Sequence, residues 1–423
     1  MALASPAVPP SWSELRSHGQ AAFDRVEGPT NAQAQLRLFG QPESAVRVTL
    51  FRDHHAWCPY CQKIWLWLEE QRIPYRIRKV TMFCYGSKER WYKQLVPSGM
   101  LPAVELDGHV ITESDRILEA LERAFGPLVA GMQDPQVLPL RQLERQLFRA
   151  WCSWLCDPRL GAAADDRARD QFQRQARAME QVLAGGSGPF LLGAQLSSAD
   201  LIVVPYLERM NASLAYYKGF LLRQSHPLLD RWFRALEQRS TYRGTQGDFH
   251  THAHDLPPQM GGCYANHSPE QRHLAARIDA GPWPIVSPGE ADPETSLAQN
   301  PNASSEALAR VVRHAPTLLA RMQAATGLSA ESLDGALRVS LAQLMNESGG
   351  LVQAPPPGTA PGLRYLRDRI SVPRDMGVLA ARCLRQALEA TAGLDPLDPG
   401  AQGPAMALEH RRDQDPVPFL QAP

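Results

Sequence analysis

Cys58 and Cys61 stand three positions apart in HHAWCPYCQK, residues His54 to Lys63. A thiol pair at this spacing forms half of a zinc site, closes a structural disulfide, or works as a redox centre. The flanking residues favour the third. A short β-branched run, VRVTLF, ends just ahead of the pair, and an apolar helical pattern begins at Pro59. Cys58 therefore falls where a strand gives way to a helix. Unsatisfied N–H groups of a first helical turn favour a thiolate there, lowering a free thiol from about 8.5 into the range of roughly 3.5–7.5. Pro59 suits the first helical position, where no N–H is needed. Cys61 lies one turn further in and more shielded, the place of a thiol that resolves a mixed disulfide on Cys58. A four-cysteine zinc site with Cys152 and Cys156 is the alternative. That second pair sits in a Trp-rich helical pattern whose spacing fits one buried helix face, and no metal is expected.

The elements around the pair read as one compact α/β unit. VRVTLF is a strand, PYCQKIWLWLEEQR a helix closed by Ile73–Pro74, and YRIRKV a second strand. SKERWYKQL gives a short helix. LPAVEL and HVIT flank Asp107–Gly108, a hairpin turn signal, and ESDRILEALERAFG is a capped amphipathic helix ending at Gly126. From Pro135 to Tyr242 the pattern is helical throughout. SSADLIVVPYLERM carries a capping box, Ser197 followed by Asp200. The expected order is a leader (1–44), an α/β domain (45–130), an all-helical domain (135–243), and proline-rich linkers with a helical extension (244–423) whose tail, 394–423, is disordered.

Composition narrows the class. The 423 residues carry 44 Lys+Arg and 44 Asp+Glu, so no excess positive charge points to nucleic acid or an anionic membrane. No apolar run approaches the roughly 20 residues that cross a bilayer. The N-terminus lacks a basic stretch followed by an apolar one, which argues against secretion and for the cytoplasm, with plastid import as the alternative. Seven scattered cysteines are an odd count and not a secreted disulfide framework.

Three motifs in order give a resemblance. CPYC ends the first strand, GMLPAVE follows, and TESDRI opens the third helix. Residues 47–126 resemble the thioredoxin-like N-terminal domain of the glutathione transferase superfamily, closest to its omega-like, cysteine-dependent branch. CPYC also resembles the glutaredoxin active site, and the following helices resemble the superfamily's all-α C-terminal domain. The resemblance implies glutathione as co-substrate. Leu101 would offer its backbone to the cysteinyl part beside a cis Pro102. Glu113 and Ser114 would hold the γ-glutamyl end, Lys88 the glycine carboxylate, and Tyr60 would stand beside the nucleophile. It implies a glutathione-dependent thiol transferase or reductase acting on small electrophilic or disulfide acceptors such as dehydroascorbate or quinones, and a homodimer. Most omega-like enzymes lack a thiol at the position of Cys61, so monothiol and dithiol cycles both stay open. The alternatives are a non-enzymatic glutathione-assisted iron–sulfur or ligand-binding protein, and a redox-fold scaffold for protein interaction.

Other residues have plainer readings. Cys84 is an ordinary loop thiol, with a second redox thiol as the alternative. His250, His252 and His254, with Cys263 and His267 downstream, could share a metal if extended, against a solvated or docking linker. Trp151, Trp154 and Cys156 wall an acceptor pocket or simply pack a core. Arg76, Arg78 and Lys79 form a solvated strand edge. The stretches FHTHAHDLPPQMGG and GPWPIVSPGEADPETSLAQNPNA read as connectors. Three helices follow, the first broken or kinked at Pro316.

Overall fold

The computed structural model describes residues 9–19, 24–159, 161–281, 290–297, 302–345, 353–398 and 400. Of these, 24–275 and 291–296 form a larger compact unit, so the expected leader 1–44 is divided, while 9–19, 276–281, 290 and the described residues from 297 onward form a smaller one.

The leader contributes α1 (Trp12–His18), capped where Ser11 Oγ accepts the Glu14 N–H and Glu14 accepts the Ser11 N–H. The sequence alone suggests a helix from about Ser11 to Val26, whereas the described helix ends at His18. Asp24 takes the N–H groups of Val26 and Glu27 on its carboxylate at 2.7 and 3.1 Å, which commits that stretch to a turn.

The larger unit then runs β1 (Leu36–Arg37), β2 (Val48–Asp53), α2 (Pro59–Glu70), β3 (Tyr75–Val80), α3 (Arg90–Leu95), β4 (Ala103–Leu106), β5 (His109–Thr112) and α4 (Ser114–Phe125). The sheet order is β1-β3-β2-β4-β5, with β2 and β3 parallel and the other pairs antiparallel. This is a thioredoxin-like sheet. Leu50 sits opposite Ile77 on one side and Val104 on the other. Val48 and Leu50 pack with the apolar residues of α2 and α4, while Phe51 faces α3 through Trp91 and Tyr92. The hairpin turns on Asp107 (φ 50°) and Gly108 (φ 82°), the left-handed pair that matches strand twist.

Strand β1 had no signal in the sequence. Its two residues are too short for a pattern, and burial of charge fixes them. Arg37 is paired with Glu69 at 2.9 Å, and Tyr75 and Thr30 each donate to the same carboxylate at 2.7 Å.

The helical part comprises α5 (Val137–Leu155), α6 (Ala162–Gly185), α7 (Ser198–Lys218), α8 (Leu222–Ser225), α9 (Pro227–Glu237), α10 (Ser240–Thr245), α11 (Phe249–Met260) and α12 (Pro269–Ala280). Helix α7 is buried on nearly every face and is the central column. Its start follows the predicted box, with Ser197 donating through N–H and hydroxyl to Asp200 at 2.9 and 2.8 Å. Trp232 and the Leu191 N–H complete that carboxylate's partners.

Helix α11 corrects the reading of FHTHAHDLPPQMGG as a connector. Asp248 caps it by accepting the Thr251 N–H at 2.8 Å, and Phe249, Ala253 and Leu256 are buried. It packs along α7, so the larger unit continues past the boundary expected near residue 243. Pro257 has no N–H to give the Ala253 carbonyl; the Tyr217 hydroxyl donates to that carbonyl instead, at 2.7 Å.

The smaller unit packs α1 with α13 (Ala303–Thr326), α14 (Ala330–Ala342), α15 (Ala360–Arg369) and α16 (Val378–Ala392). Leu15, Leu308, Leu337, Leu363, Leu384 and Leu388 form its core, each worth about 1.5–3 kcal/mol on burial. Trp12 Nε1 donates to Asp334 at 2.7 Å. Helix α13 continues through Pro316, where a kink or break was expected, so the chain does not break there, and α15 is a helix not foreseen. Of the tail read as disordered, Asp395 accepts the Gly358 and Ala360 N–H groups at 2.8 Å, and 401–423 lie outside the described residues. No described helix is long and apolar enough to cross a membrane.

Candidate active site

Cys58 is the N-cap of α2, with Pro59 at the first helical position. Strand β2 delivers the chain to it, and Asp53 at the strand's end ties the connection. Its carboxylate accepts the Trp57 N–H at 2.7 Å and the Cys58 N–H at 3.4 Å. Asp53 is wholly buried and was missed in the sequence, where nothing marks a backbone-binding carboxylate except its place just before the motif. Cys61 lies one turn in. Burial, and then the neighbouring Cys58, push its thiol well above the ordinary range, so it rests protonated. Both sulfurs are unbridged and pack with Trp57, Met82 and Tyr85, against which Cys84 and Leu101 lean.

A buried polar chain supports this turn from α7. Arg209 donates to the Trp57 carbonyl, to Gln62 Oε1 at 2.8 Å and to the Pro205 carbonyl at 2.6 Å. Its neighbour Glu208 accepts the Gly247 N–H at 2.9 Å and meets His252 Nε2 at 2.8 Å. Gln62 Nε2 reaches Glu208 at 3.3 Å and the Thr245 carbonyl at 3.2 Å. Arg209, Glu208 and Gln62 were not singled out in the sequence, because they meet His252 only once α7 and α11 pack behind α2. His252 thus serves an ion pair within a helix, so the stretch is neither the solvated linker expected nor the extended strand that the metal-sharing alternative needs. The rings of His250 and His254 lie one turn apart at 4.8 Å.

This pair gives the unit a pH signature. Burial and Arg209 push the His252 pKa down, but Asp255 and Glu208 outweigh them and hold it above its ordinary 6.5. Glu208 is pushed up by burial and drawn below 4.5 chiefly by His252. The His252 contribution is present in full below 6.5 and is lost as pH rises through its folded value. The Glu208 contribution is present in full above 4.5 and is lost as pH falls through its own. Thermal stability is therefore expected to be highest between these limits, each tenfold change in proton affinity on folding being worth about 1.4 kcal/mol. Melting curves of His252→Gln should lose the alkaline decline; an unchanged decline refutes the assignment.

A cleft of about 550 Å³ opens beside the motif, lined by Tyr60, Lys63, Glu113, Ser114, Arg145 and Tyr206 among others. Tyr60 stands edge-on to Tyr206 at 5.7 Å, and Arg145 lies over the Tyr206 ring at 4.8 Å. Glu113 precedes α4 with φ 67°, a strained conformation for a non-glycine residue and one that functional sites retain. It makes no side-chain cap, unlike the capped start expected, while Ser114 is buried at the first helical position. Lys63 pairs with Asp115 at 2.6 Å. Cys58, Lys88, Leu101 and Pro102 are not among the residues that line this cleft. The Leu101–Pro102 bond is cis. Lys88 donates to the Thr81 carbonyl at 2.7 Å and runs past Gly99 (φ 67°), where a Cβ would lie 3.2 Å from its Cδ.

The remaining candidates fall to plainer roles. Trp151 and Trp154 are core residues, donating to Ser213 and Asp165 at 3.0 Å each. Arg76 pairs with Glu43 and Arg78 stacks on Trp91 at 3.8 Å, on the exposed side of β3. Burial pushes the Cys84 thiol up to about 12.

Residues 57–124 match the family model described as the glutathione S-transferase N-terminal domain, and residues 162–235 match that of the C-terminal domain. The chain is 26% identical over 189 residues to glutathione S-transferase DHAR2 of Arabidopsis thaliana, covering 45% of this chain and 84% of that protein. It is 24% identical over 174 residues to glutathione S-transferase omega-1 of Rattus norvegicus, covering 40% and 69%. The crystal structure of glutathione transferase Omega 3C from Trametes versicolor aligns with 26% identity and a TM-score of 0.41, over 47% of this chain and 89% of that one. The α/β domain and part of the helices behind it thus carry the two glutathione S-transferase domain matches.

Proposed function

We propose that the larger unit is a glutathione-dependent thiol transferase of the omega-like kind, with Cys58 as its nucleophile. The observation that carries this reading is the placement of the two thiols: Cys58 stands at the N-cap position of α2, and Cys61 is held protonated one turn in. The Cys58 thiolate attacks a glutathionylated disulfide, taking the glutathionyl sulfur and expelling the acceptor thiolate. A second glutathione thiolate then attacks the mixed disulfide and leaves as glutathione disulfide, restoring Cys58. In a dithiol cycle Cys61 attacks the Cys58 sulfur instead, giving up its proton and expelling glutathione thiolate; two further glutathiones then reduce the Cys58–Cys61 disulfide and leave as glutathione disulfide.

Glutathione has charged groups at both ends; Glu113 and Ser114, which line the cleft, suit one end, and Leu101 and Lys88, which lie outside its lining, are assigned to the rest. The start of α4 with the Ser114 hydroxyl takes the γ-glutamyl carboxylate, and Glu113 pairs the ammonium. The backbone of Leu101 before Pro102 faces the cysteinyl peptide, Lys88 serves the glycine carboxylate, and Tyr60 flanks the reacting sulfur. Small electrophiles and disulfides are the acceptor class.

Calorimetric titration of glutathione into the full chain tests the binding half of this reading. Saturable binding is expected in the wild type. Ser114→Ala and Glu113→Ala should each weaken it about 10- to 100-fold, the worth of a hydrogen bond to a charged group. A titration showing only heats of dilution sinks the proposal.

A further inference from the structure

Three other thiols meet in the helical domain, and the reaction just described uses none of them. Cys152 and Cys156 lie one turn apart at the end of α5, with Cys156 as the C-cap and its N–H donating to the Cys152 carbonyl at 2.9 Å. The loop after α11 crosses this end. Tyr264 N–H donates to the Leu155 carbonyl at 2.9 Å, and Asn266 N–H to the Tyr217 carbonyl at 3.0 Å. These two bonds set Cys263 against Cys156, whose sulfur lies within hydrogen-bond reach of both other thiols. All three are unbridged, half-buried, and packed on the same core. Hydrogen bonds from Cys152 and then Cys263 outweigh burial and hold Cys156 down at about 4; Lys218 adds its charge.

We propose that Cys156 and Cys263 form a second thiol–disulfide site, which takes a low-molecular-weight disulfide as its oxidant. Cys156 is the attacking sulfur because it alone touches both neighbours. Its thiolate attacks one sulfur of the disulfide, forming a mixed disulfide and expelling one thiolate. Cys263 then attacks the Cys156 sulfur, its proton passing to solvent, and expels the second thiolate. Two protein thiols are oxidised by two electrons, and one small disulfide is reduced to two thiols.

Cys152 is not the resolving partner. Side chains four apart on a helix hold their Cβ atoms about 5–6 Å apart, whereas a disulfide needs about 3.5–4.5 Å. Closing that pair means breaking the last turn of α5. Cys263 approaches from a separate loop and carries no such restraint.

The test uses the full chain equilibrated with glutathione disulfide and glutathione at several ratios. Remaining thiols are trapped with N-ethylmaleimide, and the unreduced digest is mapped by mass spectrometry. A peptide pair joined through Cys156 and Cys263 is expected, its yield rising with the proportion of disulfide. The same link should form in Cys58→Ser, which separates this site from the thiol transferase reading. Cys263→Ser should stop at glutathionylated Cys156. The wild-type map decides alone if that variant does not fold. Recovery of Cys156 as its maleimide adduct at every ratio, or joined to Cys152, overturns the proposal.

Discussion

Cys58→Ser is expected to abolish glutathione-dependent thiol transfer, lowering turnover by on the order of a thousandfold or more, as loss of a covalent nucleophile does. A serine hydroxyl caps a helix at least as well as a thiol does, so the fold should survive with an unchanged melting temperature. The assay pairs glutathione with a small disulfide and, separately, with dehydroascorbate. Full activity in the serine variant would assign the chemistry to another group. Cys61→Ser separates the two cycles. Retained turnover means that a second glutathione releases Cys58, whereas loss of turnover with accumulated glutathionylated Cys58 means that the buried thiol does so. The protonated state of Cys61 fits a resolving role, since it becomes an effective attacker only when a mixed disulfide stands next to it.

The second large effect is expected at Arg209, which is 1% exposed and fixes the peptide preceding the nucleophile. Arg209→Met leaves the Trp57 carbonyl and Gln62 short of donors and removes the adjacent positive charge from Glu208. Breaking one side of such a buried set costs roughly 3–5 kcal/mol. For a domain of this size that lowers the melting temperature by roughly 6–20 °C. His252 still faces Glu208, which places the expected loss toward the lower end. Arg209→Lys retains charge without the planar fork and should fall between the two. Calorimetric melting of the three proteins checks the order, and equal stability of all three would dismiss the network as a support for α2.

The first domain was legible because each element announces itself locally. The run into Cys58, the helix after Pro59, the turn at Asp107–Gly108 and the glycine after α4 are all short-range signals that the packing then obeys. What was not legible depends on partners far away in the chain. Helix α11 carries two prolines that locally argue against a helix, and the donor that compensates for one of them comes from Tyr217 on α7. Strand β1 exists because Arg37 needs Glu69, thirty-two positions on. The same is true of the candidate site. The cysteine motif names the reacting atoms, but the groups that hold its backbone, Asp53 and Arg209, are marked by geometry alone.

Helix α1 has its docking surface on helices made far later in the chain. Trp12 reaches Asp334, 322 positions later, and Leu15 is wholly buried in the core with α13, α14 and α16. A ribosome emitting about 5–20 residues per second leaves that amphipathic stretch waiting roughly 15–65 s for its partners. Until those helices are made, α1 carries a bare indole and leucine that they must cover. That exposure makes the α1 segment of the nascent chain a natural client for holding chaperones until α13 and α14 are made.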